Sequence, residues 1–384
     1  MDADVWIFLS TLTLFLFSLS AKELFSGLKT LQLLQQQPLL KQEECPEVSI
    51  LIAARNEENA LEKAISSWLQ QDYPNFEIIV VNDRSTDRTP EILEKFAQTH
   101  SRFRFLTLHE LPPRWLGKNW ALYNASLHAR GEYYLFTDAD ILVSPEVLRR
   151  SLFYVKSQNL DHLCIFPRLV APSSCLSIAM SLFLFYFVLF IKPWKAKDPK
   201  SSHSIGIGAF NLVKAQSYKT AGTHQAIALR PDDDLKLGKL LKNQGFRQDV
   251  LIGRDEISVE WYSSLPQLIQ GLMKNTFAAI QYRFSLVLWG TFILFFLDFW
   301  PFLAIFLTSD TLQFFNSAIV LLLMILYGTV ARRFALPYWH GFAYPLATLL
   351  YLYILWKSSL STLLNQGIYW RDSFYSLEEL RTQN

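Results

Sequence analysis

Cysteine and charge are both scarce in this chain. Its 384 residues include three cysteines and seven histidines, and neither set shows the paired spacing of a structural zinc site. Cys45, Cys164 and Cys175 are therefore expected to be reduced, small apolar side chains in a cytoplasm-like compartment. Charged residues make up 18% of the chain, the net charge is +2, and there is no long basic stripe away from the apolar segments. Because binding of a phosphate backbone needs such a stripe, the sequence excludes nucleic acid as a partner.

The N-terminus also lacks the basic segment that begins a secretory signal peptide. An apolar and hydroxyl-bearing run covers residues 5–21, two acids precede it, and Lys22 and Lys29 follow it. The positive-inside rule then places the N-terminus outside and the following residues in the cytoplasm. A cleaved signal peptide is the alternative, because residues 18–20 have the small-x-small pattern of a cleavage site. We predict an N-terminal transmembrane anchor over residues 1–21.

Aromatic residues and long apolar runs are abundant instead, with 30 Phe, 11 Trp and 16 Tyr. Three apolar segments, at residues 284–307, 313–331 and 336–356, are each long enough to cross a hydrocarbon core of about 30 Å. Arg332 and Arg333 predict a cytoplasmic turn before the last of them. That segment contains two prolines, and a full crossing would leave cations outside, so a re-entrant or interfacial course is the open alternative. The predicted divisions are an interfacial connector at 263–283, a membrane region of two or three helices at 284–356, and a tail at 357–384.

Residues 46–262 alternate short apolar runs with amphipathic segments. Such an order is typical of a mostly parallel α/β sheet with helices on both faces. The predicted strands cover residues 48–54, 76–81, 103–108 and 133–136, and the predicted helices cover residues 58–70, 90–97 and 120–129.

Polar clusters follow three of these strands. Residues 55–57 follow the first, residues 82–83 the second, and residues 138–140 the last. Ligands of such sheets bind beyond the carboxyl ends of the strands, which share one rim. Each cluster has a structural alternative, such as an acid in a first helical turn for Glu57 or an Asx turn for Asp83. Together they predict a binding site on this rim.

Asp138 and Asp140 lie one residue apart at the end of an apolar strand, so both side chains should emerge on one face. Two carboxylates at one spot repel each other unless a cation lies between them. Hard oxygen ligands favour Mg²⁺ or Mn²⁺, which are usually shared with substrate phosphates. A solvated turn or a helix cap is the alternative. The pair therefore predicts a metal–diphosphate site.

Four motifs, in this order, resemble those of the family-two glycosyltransferases, inverting enzymes of the GT-A fold. They are residues 46–57, residues 80–87, Gly117-Lys118, and residues 137–140. The resemblance covers residues 46–262 and implies a GT-A domain, a nucleotide-sugar donor that is most often UDP-linked, and a divalent metal. It also implies roles by position: Ala53, Arg55 and Glu57 border the nucleoside, Asp83 accepts from uracil, Asp138 contacts the ribose, Asp140 ligates Mg²⁺ or Mn²⁺, and Lys118 lies near the phosphates.

Inverting transfer also needs a carboxylate that takes the proton of the acceptor hydroxyl. Residues 231–238 contain three acids at the start of an amphipathic segment and resemble the family's Glu-Asp motif. The resemblance puts Asp233 in the Glu position and makes Asp234 the base. Because three consecutive acids can be aligned with this two-residue motif in more than one way, Asp233 is the alternative base. An acidic first helical turn with Asp232 as its cap is the structural alternative. Crowded acids raise a pKa, which suits a base near neutrality.

Residues 270–275 stand where processive relatives have a Gln-x-x-Arg-Trp motif that holds the acceptor sugar, and they do not match it. This difference argues against polysaccharide synthesis. Lys274 is a candidate contact for the leaving diphosphate, and a lipid-headgroup anchor is its alternative.

A further apolar run, at about 175–191, is long enough to cross a membrane. A crossing there would separate Asp140 from Asp234, although metal and base must serve one substrate. We therefore predict an interfacial helix lying in the membrane surface or packing under the domain.

This apolar run suggests a lipid acceptor at the membrane surface. Trp115, Trp370 and Arg371 lie in segments with a looser similarity to bacterial carotenoid and other lipid glycosyltransferases, and are candidate acceptor or diphosphate contacts. The predicted function is hexose transfer from a nucleotide sugar to the hydroxyl of a membrane lipid, such as a carotenoid, a sterol-like molecule, a glycerolipid or a sphingolipid. A polysaccharide synthase and a non-catalytic membrane scaffold are the alternatives. The predicted location is the bacterial inner membrane, with a cytoplasmic catalytic domain.

Overall fold

The computed structural model describes residues 3–370 and 373–381. Within these ranges the strands are β1 (Gln32–Leu33), β2 (Val48–Ala54), β3 (Phe76–Asp83), β4 (Phe103–Leu108), β5 (Tyr133–Thr137), β6 (Leu142–Val143), β7 (His162–Phe166), β8 (Arg168–Leu169), β9 (Asn211–Lys214), β10 (Gln248–Ile252), β11 (Ile257–Val259), β12 (Gly367–Trp370) and β13 (Ser373–Ser376). The α-helices are α1 (Ala3–Thr30), α2 (Leu61–Leu69), α3 (Thr89–Thr99), α4 (Gly117–His128), α5 (Val147–Ser157), α6 (Ser174–Ile191), α7 (Ala215–Ala221), α8 (Asp233–Asn243), α9 (Leu265–Ala279), α10 (Phe284–Leu294), α11 (Trp300–Leu307), α12 (Asp310–Arg333), α13 (Tyr344–Leu364) and α14 (Leu377–Arg381).

The central sheet of the described chain has eight strands in the order β1-β10-β7-β9-β5-β2-β3-β4. Its pairs are parallel except for those of β9, which runs antiparallel to β5 and β7. In the register, Ala54 pairs with Asn82, and Ile52 pairs with Thr137. The carboxyl ends of β2, β3 and β5 therefore lie side by side, which confirms the predicted mostly parallel α/β class.

Both faces of this sheet are covered, as the uninterrupted apolar strands require. Successive side chains of β2 point to opposite faces. Ile50 and Ile52 pack in one apolar cluster with Leu61 of α2, whereas Leu51 packs in a second cluster with Leu122 of α4. The sheet thus separates two cores and presents its strand ends to α4 and the loops around it.

Among the predicted boundaries that differ from the structure, three lie beside tertiary contacts that account for the difference. Helix α2 begins at Leu61 rather than at residue 58, since the Glu58 N–H donates to Asp87 in the neighbouring loop. The sheet begins before residue 46, because β1 pairs with β10. Helix α1 continues past residue 21 to Thr30, where Leu24 and Leu28 are buried in the core.

In the C-terminal part of the chain, a predicted boundary also differs from the structure because of a tertiary contact. Helix α13 runs to Leu364, beyond the predicted end of the membrane region at residue 356, because its last turns pack on α9 and on β12 of the following hairpin. The predicted connector at 263–283 contains α9, whose first turn is capped by Ser264.

Five helical segments of the described chain are long and apolar enough to span a membrane. One of them contains α6, which confirms the predicted helix at about 175–191, while its interfacial position stays a prediction. Helix α6 packs against α12 and α13, as Phe185 contacts Tyr327 and Tyr186 contacts Tyr351. The five segments are Asp4–Thr30, Ser174–Lys195, Phe284–Leu307, Asp310–Arg333 and Tyr338–Leu364.

Candidate active site

A cavity of about 250 Å³ lies on the predicted rim of the sheet. The segments that line it include the turn after β5, the start of α4, the segment 206–209, the residues that lead into α8, and one side of α6. Asp138 and Asp140 come from the first of these parts, and Asp233 and Asp234 from the fourth. The structure therefore brings together two acidic motifs that are more than ninety residues apart in the sequence.

Lys118 connects the two acidic motifs. Its Nζ lies 2.8 Å from Asp138 Oδ1 and 3.4 Å from Asp233 Oδ2. Burial by itself would lower the pKa of Lys118, but the charges of Asp138, Asp233 and Asp234 outweigh it and keep the pKa above its ordinary value. Lys118 is therefore a cation at the centre of the cavity, where an incoming diphosphate could replace a carboxylate as its partner.

Asp234 is held by main-chain donors on both sides of its carboxylate. The Gly208 N–H donates to Oδ2 at 2.8 Å, and the Leu235 N–H donates to Oδ1 at 2.7 Å. Burial and the adjacent Asp233 raise the pKa of Asp234 to about 7. Two donors orient a carboxylate but leave lone pairs free, so Asp234 can still accept a proton near neutral pH.

The glycines of the segment 206–209 are required by close packing. A Cβ on Gly206 would lie 1.8 Å from the Asp234 carbonyl oxygen, and a Cβ on Gly208 would lie 2.7 Å from Asp138 Oδ2. Gly208 thus leaves no room for a Cβ beside Asp138, and its N–H donates to Asp234. These close contacts set the separation of the two acidic motifs.

Replacing Gly208 by Ala should therefore displace Asp138 and weaken the hydrogen bond to Asp234. We expect turnover to fall by about tenfold and stability to fall by about 1–3 kcal/mol, as for other overpacked sites. Gly290→Ala is the matched control, because its Cβ would meet no heavy atom within 4 Å. Equal effects of the two variants on turnover, measured together with thermal unfolding, would contradict this role of Gly208.

The other polar clusters form a second group at the ends of β2 and β3. Asp83 is buried, its Oδ1 accepts from Arg84 Nε at 2.8 Å, and its Oδ2 lies 3.9 Å from Arg55 NH1. A Cβ on Gly117 would lie 2.2 Å from Asp83 Oδ2, so the start of α4 packs directly on this group. Gly117 contacts Asp83 and Lys118 contacts Asp138, which places the predicted nucleoside group beside the acidic cavity.

Asp140 faces a concentration of negative charge that a cation would neutralise. Burial, together with the charges of Asp138 and Glu57, raises the pKa of Asp140 to about 7. No group of three or more Asp, Glu, His or Cys residues that could hold a metal ion is found within residues 3–370 and 373–381. A closed metal cage is thus absent from that part of the chain, but Mg²⁺ bound with substrate phosphates needs only one or two carboxylates. The residues fit a divalent cation that binds together with a diphosphate.

One wall of the cavity is apolar. Phe183, Leu184 and Phe187 of α6 line it, and Phe166 and Trp261 extend the same surface. Phe183 packs on Trp261 with ring centroids 4.6 Å apart, and Phe166 packs on Phe187 at 5.9 Å. The cavity therefore joins a charged half with a hydrophobic half, as a site for a polar donor and an apolar acceptor would require.

The structure adds two polar groups that the motifs do not identify. Arg230 is buried beside the cavity and makes a two-pronged contact with Asp232, at 2.9 and 3.0 Å. Asp232 is therefore an ion-pair partner and not the side-chain cap that its position before α8 suggested. Tyr262 also lines the cavity, where burial and the charges of Asp140 and Asp138 raise its pKa to about 12. Arg230 stands two residues before the acidic triplet, and this position in the sequence could have identified it as a site residue. No sequence motif identifies Tyr262.

The remaining predicted residues lie apart from the cavity lining or cannot be placed. Ala53, Arg55, Glu57 and Asp83 do not line the cavity, although the Glu57 charge acts on Asp140. Trp115 packs against Trp120 and Tyr123 on α4 instead. The side chains of Lys274 and Trp370, and the whole of Arg371, lie outside the described residues. Their predicted roles stay predictions.

The segment that carries these motifs has known relatives. Residues 49–215 match Glycosyl transferase family 2. The chain can be superposed on a mannosyltransferase from Pyrobaculum calidifontis, solved in complex with GDP-Man and Mn²⁺, with a TM-score of 0.54 over 94% of this chain and 98% of that one. At 17% identity this likeness establishes the fold, which is GT-A.

Curated relatives match parts of the chain. It is 24% identical to 4,4'-diaponeurosporenoate glycosyltransferase of Staphylococcus haemolyticus over 233 residues, which are 59% of this chain and 60% of the relative. It is 29% identical to poly-beta-1,6-N-acetyl-D-glucosamine synthase of Staphylococcus epidermidis over 180 residues, or 46% of this chain and 41% of the relative. The chain thus spans 60% and 41% of the length of these two relatives, whose names include a diaponeurosporenoate glycosyltransferase and a polysaccharide synthase.

Proposed function

We propose that this chain transfers a hexose from a UDP-linked sugar to the hydroxyl of a membrane lipid, with inversion at the anomeric carbon. The observation that carries the proposal is a single cavity where Asp138, Asp140 and Asp234 face one another around Lys118, beside an apolar wall from α6. The match of residues 49–215 to Glycosyl transferase family 2 and the similarity to a diaponeurosporenoate glycosyltransferase support it. The positive flank of α1 supports a cytoplasmic catalytic domain in a bacterial inner membrane.

The donor would bind across the two polar groups of the rim. Arg55 and Asp83 would border the nucleoside, with Arg84 giving up its contact with Asp83, and Asp138 would contact the ribose. Lys118 would pair with the diphosphate, and Asp140 would hold Mg²⁺ or Mn²⁺. A divalent cation bound there supplies positive charge that stabilises the leaving nucleoside diphosphate.

The chemical step would use Asp234 as the general base. The acceptor oxygen forms a bond to the anomeric carbon while the bond from that carbon to the diphosphate oxygen breaks on the opposite face. Asp234 takes the hydroxyl proton, and the nucleoside diphosphate leaves with the bonding electron pair. The hydrogen bonds from Gly208 and Leu235 hold the carboxylate still while the proton moves.

The apolar wall would hold the acceptor. Phe183 and Phe187 belong to a helix that is apolar enough to contact a membrane, and both line the cavity that contains the acids. A lipid hydroxyl could therefore reach Asp234 while the rest of the molecule stays on the aromatic surface. This placement also supports an interfacial α6, because Asp140 and Asp234 share one compartment.

The acceptor class can be tested with membranes that contain the full chain, radiolabelled UDP-sugars and Mn²⁺, followed by organic extraction. We expect label in the lipid phase, and we expect Phe187→Ser to raise the apparent acceptor KM about tenfold through loss of apolar contact. Phe190→Ser is the control, because Phe190 lies on the same helix but is 64% exposed and does not line the cavity. Identical acceptor kinetics for the two variants would rule out the apolar wall as the acceptor surface.

A polysaccharide synthase is the second candidate, favoured by the similarity to the poly-N-acetylglucosamine synthase. The same assay separates the two, since a polymer keeps the label out of the organic phase and grows with time. Label confined to such a polymer would overturn the lipid acceptor and leave the donor assignment in place.

A further inference from the structure

A second cavity, of about 440 Å³, lies away from the active site, between the C-terminal ends of α1 and α12. Four cations line it: Lys29 from α1, Arg332 and Arg333 from α12, and Arg254 from the turn after β10. None of these residues lines the cavity that contains Asp140. We call the four cations and the space between them the basic pocket.

The two helix ends are held together by direct contacts. Helices α1 and α12 pack along each other, and the Arg333 guanidinium donates to the carbonyl of Leu31 just beyond α1. Arg333 Nε is buried and has no hydrogen-bond partner in the described chain. A buried donor without a partner is costly, so an acceptor at this position would stabilise the pocket.

Little negative charge offsets the basic pocket. Among its described lining residues there is no Asp or Glu. Asp255 is the neighbouring acid, which lies 3.2 Å from Arg254 Nε and is half exposed. Cations at helix C-termini often complement the helix dipole, but Arg254 comes from a turn of the α/β domain and faces the same space. Convergence of cations from three chain segments indicates a site for an anion.

The remaining residues of the pocket lining favour a phospholipid headgroup over a free phosphate as the anion. Phe25 and Leu28 of α1 and Thr329 of α12 form the other walls, and both helices are candidate membrane spans whose ends would lie at headgroup level. A free phosphate would gain nothing from the apolar walls, whereas a phospholipid would place its phosphate among the cations and its glycerol and first methylenes against Phe25 and Leu28.

We propose that the basic pocket binds the phosphate of an anionic phospholipid headgroup and so fixes the α/β domain to the membrane at the α1–α12 junction. Among the described lining residues, Arg254 is the one cation that belongs to the α/β domain, and a lipid phosphate would therefore link that domain to the two helices.

The test uses the purified full chain, titrated with phosphatidylglycerol or phosphatidylcholine, with bound lipid measured by native mass spectrometry. We expect tighter retention of phosphatidylglycerol, and a loss of about tenfold or more in the triple variant Lys29→Gln, Arg254→Gln, Arg332→Gln. Arg333 is kept because it bonds to Leu31. The variant Arg254→Lys, Arg332→Lys keeps the charge and should retain most of the binding.

The control is a second triple variant that removes the same number of positive charges from exposed positions elsewhere: Lys63→Gln, Arg130→Gln, Lys239→Gln. An equal loss in this control would show general attraction to anionic lipid and would overturn the proposal. Full displacement of the lipid by inorganic phosphate or glycerol phosphate at comparable concentration would equally overturn it in favour of a soluble phosphate ligand. Thermal unfolding of each variant shows that the chain is folded when lipid is added.

Discussion

Asp140→Asn should reduce sugar transfer by about 10³-fold or more, because the change removes the carboxylate proposed to hold the divalent cation against the diphosphate. Asn is nearly isosteric with Asp, so the cavity should keep its shape. The measurement is initial rate as a function of Mn²⁺ and UDP-sugar concentration in membranes that contain the full chain. The wild-type rate should vanish on chelation with EDTA and return with added Mn²⁺, and the variant should not recover at any Mn²⁺ concentration.

Asp72→Asn is the matched control for this variant. Asp72 is an exposed acid that pairs with Arg149 at 2.6 Å and does not line the cavity. Surface ion pairs contribute about 0–1 kcal/mol, so this change should leave transfer near the wild-type rate. Wild-type activity in Asp140→Asn would contradict the metal role of Asp140, and wild-type activity after chelation would remove the divalent cation from the proposal.

Asp234→Asn should lower kcat by about 10³-fold while leaving the donor KM within about threefold, because a general base acts in the chemical step. The wild-type pH profile should report the same group. The pKa of Asp234 is about 7, so the base form is lost below that pH, and kcat should fall about tenfold per pH unit on the acid side. The profile is measured at saturating Mn²⁺ and donor, so that their binding does not limit the rate.

Asp233→Asn separates the two acids of the motif. Asp233 lies 3.4 Å from Lys118 Nζ, so its loss should change the donor KM through Lys118 more than it changes kcat. The reverse pattern, with kcat lost in Asp233→Asn and kept in Asp234→Asn, would move the base to Asp233. This alternative follows from the same acidic triplet, whose register the sequence left open.

Much of the fold followed from local pattern. The runs that became β2, β3 and β5 are largely apolar and bounded by polar residues, because a strand between two covered faces must be mostly apolar. The edge strand β4 alternates apolar residues with Arg104 and Thr107. Because parallel strands share one carboxyl end, the rim that carries Asp83, Asp138 and Asp140 could be predicted without coordinates. The family motifs carried the same information, residue by residue.

The position of the proposed base was harder to predict from local sequence pattern. Asp234 reaches the cavity because a segment 26 residues earlier packs against the start of α8, with Gly208 donating to its carboxylate. The Gly-Ile-Gly-Ala sequence of residues 206–209 does not reveal this contact, because the need for glycine appears only where two backbones approach too closely for a side chain to fit. The ends of α1 and α13 were displaced for the same reason, because packing of Leu24 and of the turns after residue 356 continued helices that composition alone would end.

The sequence by itself determined the alternation of strands and helices, the acids at the strand ends and the apolar segments, since each depends on neighbours within a few residues. Only the tertiary structure decided which of these meet: Lys118 between Asp138 and Asp233, Phe187 beside the acids, and Arg254 beside Arg332. These contacts join residues that are distant in the chain, and they form only where the packing of whole helices and strands brings the backbones together.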